Sequence, residues 1–270
     1  MHLPMFIVDA FAERPFAGNP AAVCPLAAWI PTSTMQAIAS EMNLSETVFF
    51  APDQRQQHAF GIRWFTPIRE VDLIGHATLA AGHLVLERMR PSATSVCFLS
   101  NDHELMVTRD GASLALEMPA LRPQRVEQPP PELAHGLGRQ PGAVLAAKHY
   151  LCVFDHADDV RMMTPNMGAI ANLDLPAVIA TAPGDGDVDF VSRFFAPANG
   201  VPEDPVSGVA HLCLAPYWAE RLGKTMLVGR QLSSRGGIVR CEDLGSRVRL
   251  GGSAVIFLEG RINISAAIEN

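Results

Sequence analysis

The sequence predicts an α+β protein of two pseudo-symmetric halves, each a β-rich sheet wrapped around one central helix. Three observations predict it. The chain repeats itself at long range. Each half is rich in strand-like runs. Each half also holds one helix that is apolar nearly all round.

The repeat comes first in the argument. MQAIASEMNLSETVFFAP, from Met35, matches MGAIANLDLPAVIATAP, from Met167. Both read as a short helix, a turn and an apolar strand. RWFTP at Arg63 matches RFFAP at Arg193, and DLIGHATLAAGHLVLERM at Asp72 matches DPVSGVAHLCLAPYWAERL at Asp204. Met35 and Met167, Arg63 and Arg193, and Gly75 and Gly208 lie 132, 130 and 133 residues apart. Matches in one order at nearly one offset mark a duplication of large units, not a solenoid of short repeats. MPALRPQRVEQPPPEL, from Met118, holds five prolines and fits a crossing between domains.

The strands follow from Val/Ile/Phe-rich or alternating runs. The first half offers MFIVDAF, ETVFFAP, FGIRWFT, SVCFLS, ELMVTRD and SLALEMP; the second offers AVLAAKHYLCVFD, AVIATAP, VDFVSRFFA, IVRCEDL and RVRLGG. The helices beginning near Gly75 and Gly208 run ATLAAGHLVL and VAHLCLAPYW. Helices apolar on every face are buried on every face, and a wrapped sheet provides that.

Composition narrows the function. The 270 residues are 48% hydrophobic, ample for a large core. A net charge of -7 and a pI near 5.7 exclude attraction to nucleic acid or to an anionic membrane. Lysine is confined to Lys148 and Lys224, which leaves little room for Schiff-base chemistry. Five cysteines, an odd number without CxxC, read as free thiols in a reducing compartment. The N-terminus lacks the pattern of a signal peptide, and no apolar run reaches about 18 residues. A cytoplasmic protein is expected.

The helix starts carry the chemistry. Asp72 lies three residues before Gly75, and Asp204 four before Gly208. An Asp there can cap backbone N–H groups, and a Gly admits a ligand close to the backbone. Unpaired N–H groups at a helix N-terminus bind anions. Two such termini facing each other across a cleft form a pocket for a small carboxylate; the plainer alternative is two ordinary capped helices. A metal is not expected. Asp72 precedes the helix that carries His76 and His83, His83 reads as a core histidine, and no HExxH or Cys/His quartet is present. Glu46, in NLSETVFF, stands where a helix gives way to an apolar strand. Its counterpart in the second half is Pro176 or Ala177, so the acid exists in one half only. Desolvation strengthens a carboxylate as a base, and Glu46 is the candidate general base.

The residues reached resemble the phenazine-biosynthesis isomerase-like (PhzF-like) family, within the diaminopimelate epimerase fold. The matching motifs are VDAFAERPFAGNPAAV at Val8, NLSETVFF at Asn43, FTPIREVDLIGHAT at Phe65, EDPVSGVAH at Glu203 and the closing GGSAVIFLEGRI. The resemblance implies two domains, each a curled mixed β-sheet around a central helix, with the active site between them. It implies that the tail returns to the first domain. That gives an N-terminal domain of residues 1–119 plus about 254–270 and a C-terminal domain of 120–253. It also implies a cofactor-free isomerase, often a homodimer, in which Glu46 transfers the proton beside His76 and Asp204. Asn19, Asp72, Gly75, Ala77, Ser207, Gly208, Val209 and Ala210 are expected to line the substrate pocket. Epimerases and proline racemases of the fold place two Cys just before the helix-start glycines; here Ile74 and Ser207 stand there, which excludes a two-thiol racemase. Val209 stands where the phenazine isomerase motif commonly has a Ser. The expected function is a proton shift or epimerisation on a small carboxylate. The alternative is a carboxylate-binding or sensing protein on the same fold, without turnover. GxGxxG after a strand, GxSxG and P-loop motifs are absent from the sequence.

Overall fold

The computed structural model describes residues 1–264, so the last six residues of the expected N-terminal domain lie outside the described residues. The chain forms two compact units. One comprises Met1–Glu117 with the chain from Gly251, the other Met118–Leu250.

The first unit runs β1 (His2–Ala10), β2 (Asn19–Pro25), α1 (Thr32–Met42), β3 (Glu46–Pro52), β4 (Phe60–Phe65), β5 (Glu70–Val71) and α2 (Gly75–Leu84). A π-helical turn, Val85–Met89, extends α2 before β6 (Ser95–Leu99), β7 (Glu104–Asp110) and β8 (Ser113–Pro119). The second unit holds β9 (Gln124–Arg125), α3 (Pro131–Leu137), β10 (Ala143–Ala146), β11 (Tyr150–Val153), α4 (Ala157–Arg161), α5 (Met167–Ala171), β12 (Val178–Pro183) and β13 (Phe190–Ala196). β14 (Val201–Asp204), α6 (Gly208–Leu222), β15 (Met226–Gln231), β16 (Gly237–Asp243) and β17 (Arg247–Gly252) follow. β18 (Ala254–Asn263) belongs to the first unit, where it pairs antiparallel with β1 from His2–Asn263 to Ala10–Ala254.

Both sheets are mixed and share one topology. In the first, β1–β2 is antiparallel, β2–β3 parallel, β3–β4 antiparallel, β4–β6 parallel and β6–β7 antiparallel. In the second, β10–β11, β11–β12, β12–β13, β13–β15 and β15–β16 repeat that series in the same order. The central helices occupy equivalent places, after β5 and after β14. Helix α2 packs against β1, β2, β3, β7 and β18. Ala77, Leu79, Ala80 and Ala81 on it are fully buried. Such a helix has no face to give to water, so the sheet must enclose it.

A bidentate ion pair is duplicated with the fold. Arg63 Nε and Nη2 donate to the two carboxylate oxygens of Glu70, each at 2.7 Å. Arg193 does the same to Glu203 at 2.7 and 2.9 Å. Each guanidinium also lies over the aromatic ring two residues further along its strand, Phe65 at 5.3 Å and Phe195 at 4.9 Å. Strand register then fixes the correspondence between halves. Thr47 pairs with Phe65 as Val178 pairs with Phe195, so Glu46 corresponds to Ala177. Trp64 pairs with Val71 as Phe194 pairs with Asp204, so Asp204 corresponds to Val71. The sequence match of Asp72 with Asp204 is therefore one residue out of register; Asp72 corresponds to Pro205.

Two further expectations change. AVLAAKHYLCVFD is two strands, β10 and β11, because the chain reverses at Ala147–His149, where the Ala147 N–H donates to His149 O at 3.1 Å. The proline-rich segment is not wholly a linker. Pro131 opens α3, where its missing N–H costs no helical hydrogen bond.

Gly18 shows how tightly the entry to β2 is built. Its φ is +67°, and a Cβ there lies 2.1 Å from the Ala10 carbonyl oxygen. Gly18→Ala is expected to lower stability by at least about 1–3 kcal/mol, seen as a lower urea midpoint. An unchanged midpoint contradicts this geometry.

Candidate active site

In the first unit, α1 ends at Asn43, whose φ of 50° turns the chain and returns its N–H to Ala39 O at 3.1 Å. The chain then enters β3 at Glu46, in parallel register with Ala21 of β2. Ser45 Oγ donates to Asn19 Oδ1 at 3.0 Å, which ties the two strand starts together. Asn19 is fully buried, and Glu46 is 8% exposed. Glu46 Oε2 lies 3.2 Å from Nε2 of the buried His76, the second residue of α2. A carboxylate and an imidazole thus meet at the positive end of a helix.

The start of α2 is open to a ligand. Its N-cap is Ile74, which has no acceptor side chain. The helical ladder begins with Thr78 N–H donating to Ile74 O at 3.1 Å. The N–H groups of Gly75 and Ala77 therefore have no acceptor among the described residues. Thr78 Oγ1 donates to the same carbonyl at 2.6 Å and accepts from Trp64 Nε1 at 3.1 Å, which anchors the helix start to β4. Leu73, just before the cap, has a left-handed φ of 50°. That conformation costs a non-glycine residue energy that surrounding contacts must supply.

In the second unit the cap is filled. Ser207 Oγ accepts from the Ala210 N–H at 3.4 Å, leaving Gly208 and Val209 as the open donors. His211 Nδ1 donates to Ser207 O at 2.7 Å, as Thr78 does to Ile74. Thr78 and His211 are each three residues past their helix-start glycine. Asp204, 8% exposed, ends β14. Gln231, fully buried, holds the backbone of Asp204 and Ser207 together: its Nε2 donates to Asp204 O at 2.6 Å and its Oε1 accepts from Ser207 N–H at 2.9 Å.

Asp72 departs from its expected role. It does not cap α2, because the cap position is two residues later, at Ile74. It is exposed and lines a cavity of about 880 Å³ with Trp29, Arg63, Glu70 and Asp102, a cavity that neither Glu46 nor His76 lines. Nor does Asp204 cap α6; Ser207 does. Ser45, Thr78, His211 and Gln231 escaped the sequence reading. The offset of 133 that relates the glycines also relates Thr78 to His211, and Gln231 is a polar residue on the buried side of an alternating strand.

The cysteines supply no nucleophile at either helix start. All five are buried and unbonded to one another, and burial pushes the Cys24 and Cys213 thiols up to about 12. For a cation, the first unit offers the Glu46 carboxylate and the His76 imidazole and the second the Asp204 carboxylate. No helix among the described residues is long and apolar enough to cross a membrane.

A mixed sheet curled around a buried helix, twice over, is the diaminopimelate epimerase-like architecture. A hydroxyproline epimerase from Agrobacterium vitis, 10% identical, shares that fold with a TM-score of 0.59 over 97% of this chain and 93% of its own. Residues 8–260 match the model of the phenazine biosynthesis-like protein family, and the chain belongs to that family. Two Pseudomonas aeruginosa proteins named as uncharacterized isomerases are 43% and 46% identical, each over 98% of this chain and 100% of their own. The crystal structure of a PhzF-family protein from Enterococcus faecalis superposes with a TM-score of 0.92 at 41% identity, covering 98% of this chain and 100% of that one. The protein is an isomerase of this type.

Burial makes His211 a pH sensor of stability. Desolvation, only partly offset by the bond to Ser207, lowers its pKa from 6.5 to about 4. A lowered folded-state value means that stability is fully present above pH 6.5 and is lost as pH falls toward 4. His149, lowered to about 4 chiefly by burial, acts in the same direction. Urea unfolding between pH 7 and 4 should show this loss. His211→Thr, which copies Thr78, should remove up to about 1.4 kcal/mol per pH unit of the slope. An unaltered slope contradicts the assignment.

Proposed function

We propose that this isomerase catalyses a cofactor-independent proton shift or epimerisation on a small carboxylate. The observation that carries the reading is the asymmetry of the duplication. Glu46 is buried beside His76, whereas the corresponding residue of the other half is Ala177. A scaffold role requires the acid in both halves; a chemical role requires it once.

The substrate carboxylate binds the open N–H groups of Gly75 and Ala77 and of Gly208 and Val209. Glu46 takes a proton from an adjacent C–H, and the electron pair left behind delocalises toward the carboxylate, where the same donors stabilise it. The protonated Glu46 then returns the proton to another carbon or to the opposite face, with His76 and Asp204 orienting the substrate. Asn19 holds Ser45, and hence the start of β3, in place. The molecule works in the cytoplasm, as a homodimer.

Glu46→Gln keeps the shape and removes the base. Deuterium incorporation from D2O into a panel of small unsaturated and 2-substituted carboxylates, read by NMR, should fall about 10²–10⁴-fold in that variant. Exchange at the wild-type rate rules out Glu46 as the proton carrier.

A further inference from the structure

We infer that Gln231 is a positioning residue that sets the Asp204 carboxyl against the first N–H groups of α6. The inference rests on the function proposed above. Asp204, which ends β14, and the three residues Pro205, Val206 and Ser207 that join it to α6 form a four-residue turn. In a simple turn the first carbonyl bonds the fourth N–H directly. Here the Gln231 amide is inserted between them, with Nε2 on Asp204 O at 2.6 Å and Oε1 on Ser207 N–H at 2.9 Å. Both ends of one planar amide are engaged, so neither can shift without breaking a buried bond. Ser233 Oγ adds a bond to Pro205 O at 2.7 Å. The link is therefore held by the side chains of Gln231, at the C-terminal end of β15, and of Ser233 just beyond it.

The first unit is built differently. Ser192 pairs with Gln231, and Gly61, one residue before the counterpart of Ser192, pairs with Leu99; the counterpart of Gln231 is therefore Ser100. Ser100 Oγ accepts from His103 N–H within its own turn. The corresponding link, Val71 to Ile74, carries the left-handed Leu73 instead. A clamp is thus present only in the half that presents Asp204.

The Gln231 amide donates at one end and accepts at the other at every pH. In Gln231→Glu, an ionised side chain still accepts from Ser207 but cannot donate to Asp204; a protonated one can do both. In Gln231→Leu both bonds are lost at every pH. Turnover of a panel substrate should fall roughly 10²-fold in Gln231→Leu. In Gln231→Glu it should fall at pH 8 and recover toward wild type at pH 5, a limb the wild type lacks. Amide hydrogen exchange at Ser207 should quicken about tenfold in Gln231→Leu and stay slow in Gln231→Glu. A Gln231→Glu profile parallel to wild type, or unchanged Ser207 exchange in Gln231→Leu, overturns the inference. Glu46→Gln run alongside separates the two claims. If that variant keeps full exchange, the proton-carrier reading fails, and Ser207 exchange still decides the clamp.

Discussion

The structure depends on hiding a helix that has no polar side. Ala77, Leu79, Ala80 and Ala81 of α2 and Leu212, Leu214 and Ala215 of α6 are buried to 1% exposure or less. A flat sheet covers one face of a helix; covering all of them requires a sheet that curls. Side chains are thereby removed as places to put chemistry along most of each helix. What remains is the end. The first-turn N–H groups cannot be satisfied within the helix, so each unit concentrates polarity where its helix begins. Glu46, His76, Asp204 and Ser207 all lie at such beginnings.

The duplicated arginine–glutamate forks fix where those beginnings fall. Arg63–Glu70 and Arg193–Glu203 each tie a central strand to the short strand that leads into the helix. Each Glu lies five positions before its helix-start Gly. With the frame constant, the halves differ in what is mounted near the helix starts: Glu46 against Ala177, Val71 against Asp204, Thr78 against His211, Ile74 against Ser207. Evolution of this kind needs one stable frame and tolerates divergence at the few positions that face the open helix ends.

Much of this was legible in the sequence. The repeat, the enclosed helices and most strands follow from hydrophobic periodicity, which reports burial directly. Glu46 stood out because the repeat supplied a second copy to compare. What was lost is equally physical. β5 and β14, at two and four residues, are too short to show a period. Without them the acidic residues were aligned by type, Asp72 with Asp204, when the ladders pair Asp204 with Phe194 as they pair Val71 with Trp64, which makes Val71 the counterpart of Asp204. β2 contains two prolines in seven residues and does not read as a strand. Gln231 acts through both ends of its amide on residues more than 20 positions earlier, a relation that no local pattern carries.

The pairing of β1 with β18 has a consequence for how the chain is made. Its register joins His2 to Asn263, so the first strand of the sheet, already beside β2, finds its second neighbour only after the entire second unit has been synthesised. The second unit is contiguous and its contacts are shorter in range, so it can close while still emerging from the ribosome. The first unit waits with one side of β1 unpaired. A chain stopped between Leu250 and Ala254 therefore holds a complete second unit and an unclosed sheet, with an exposed strand edge of the kind that recruits other chains.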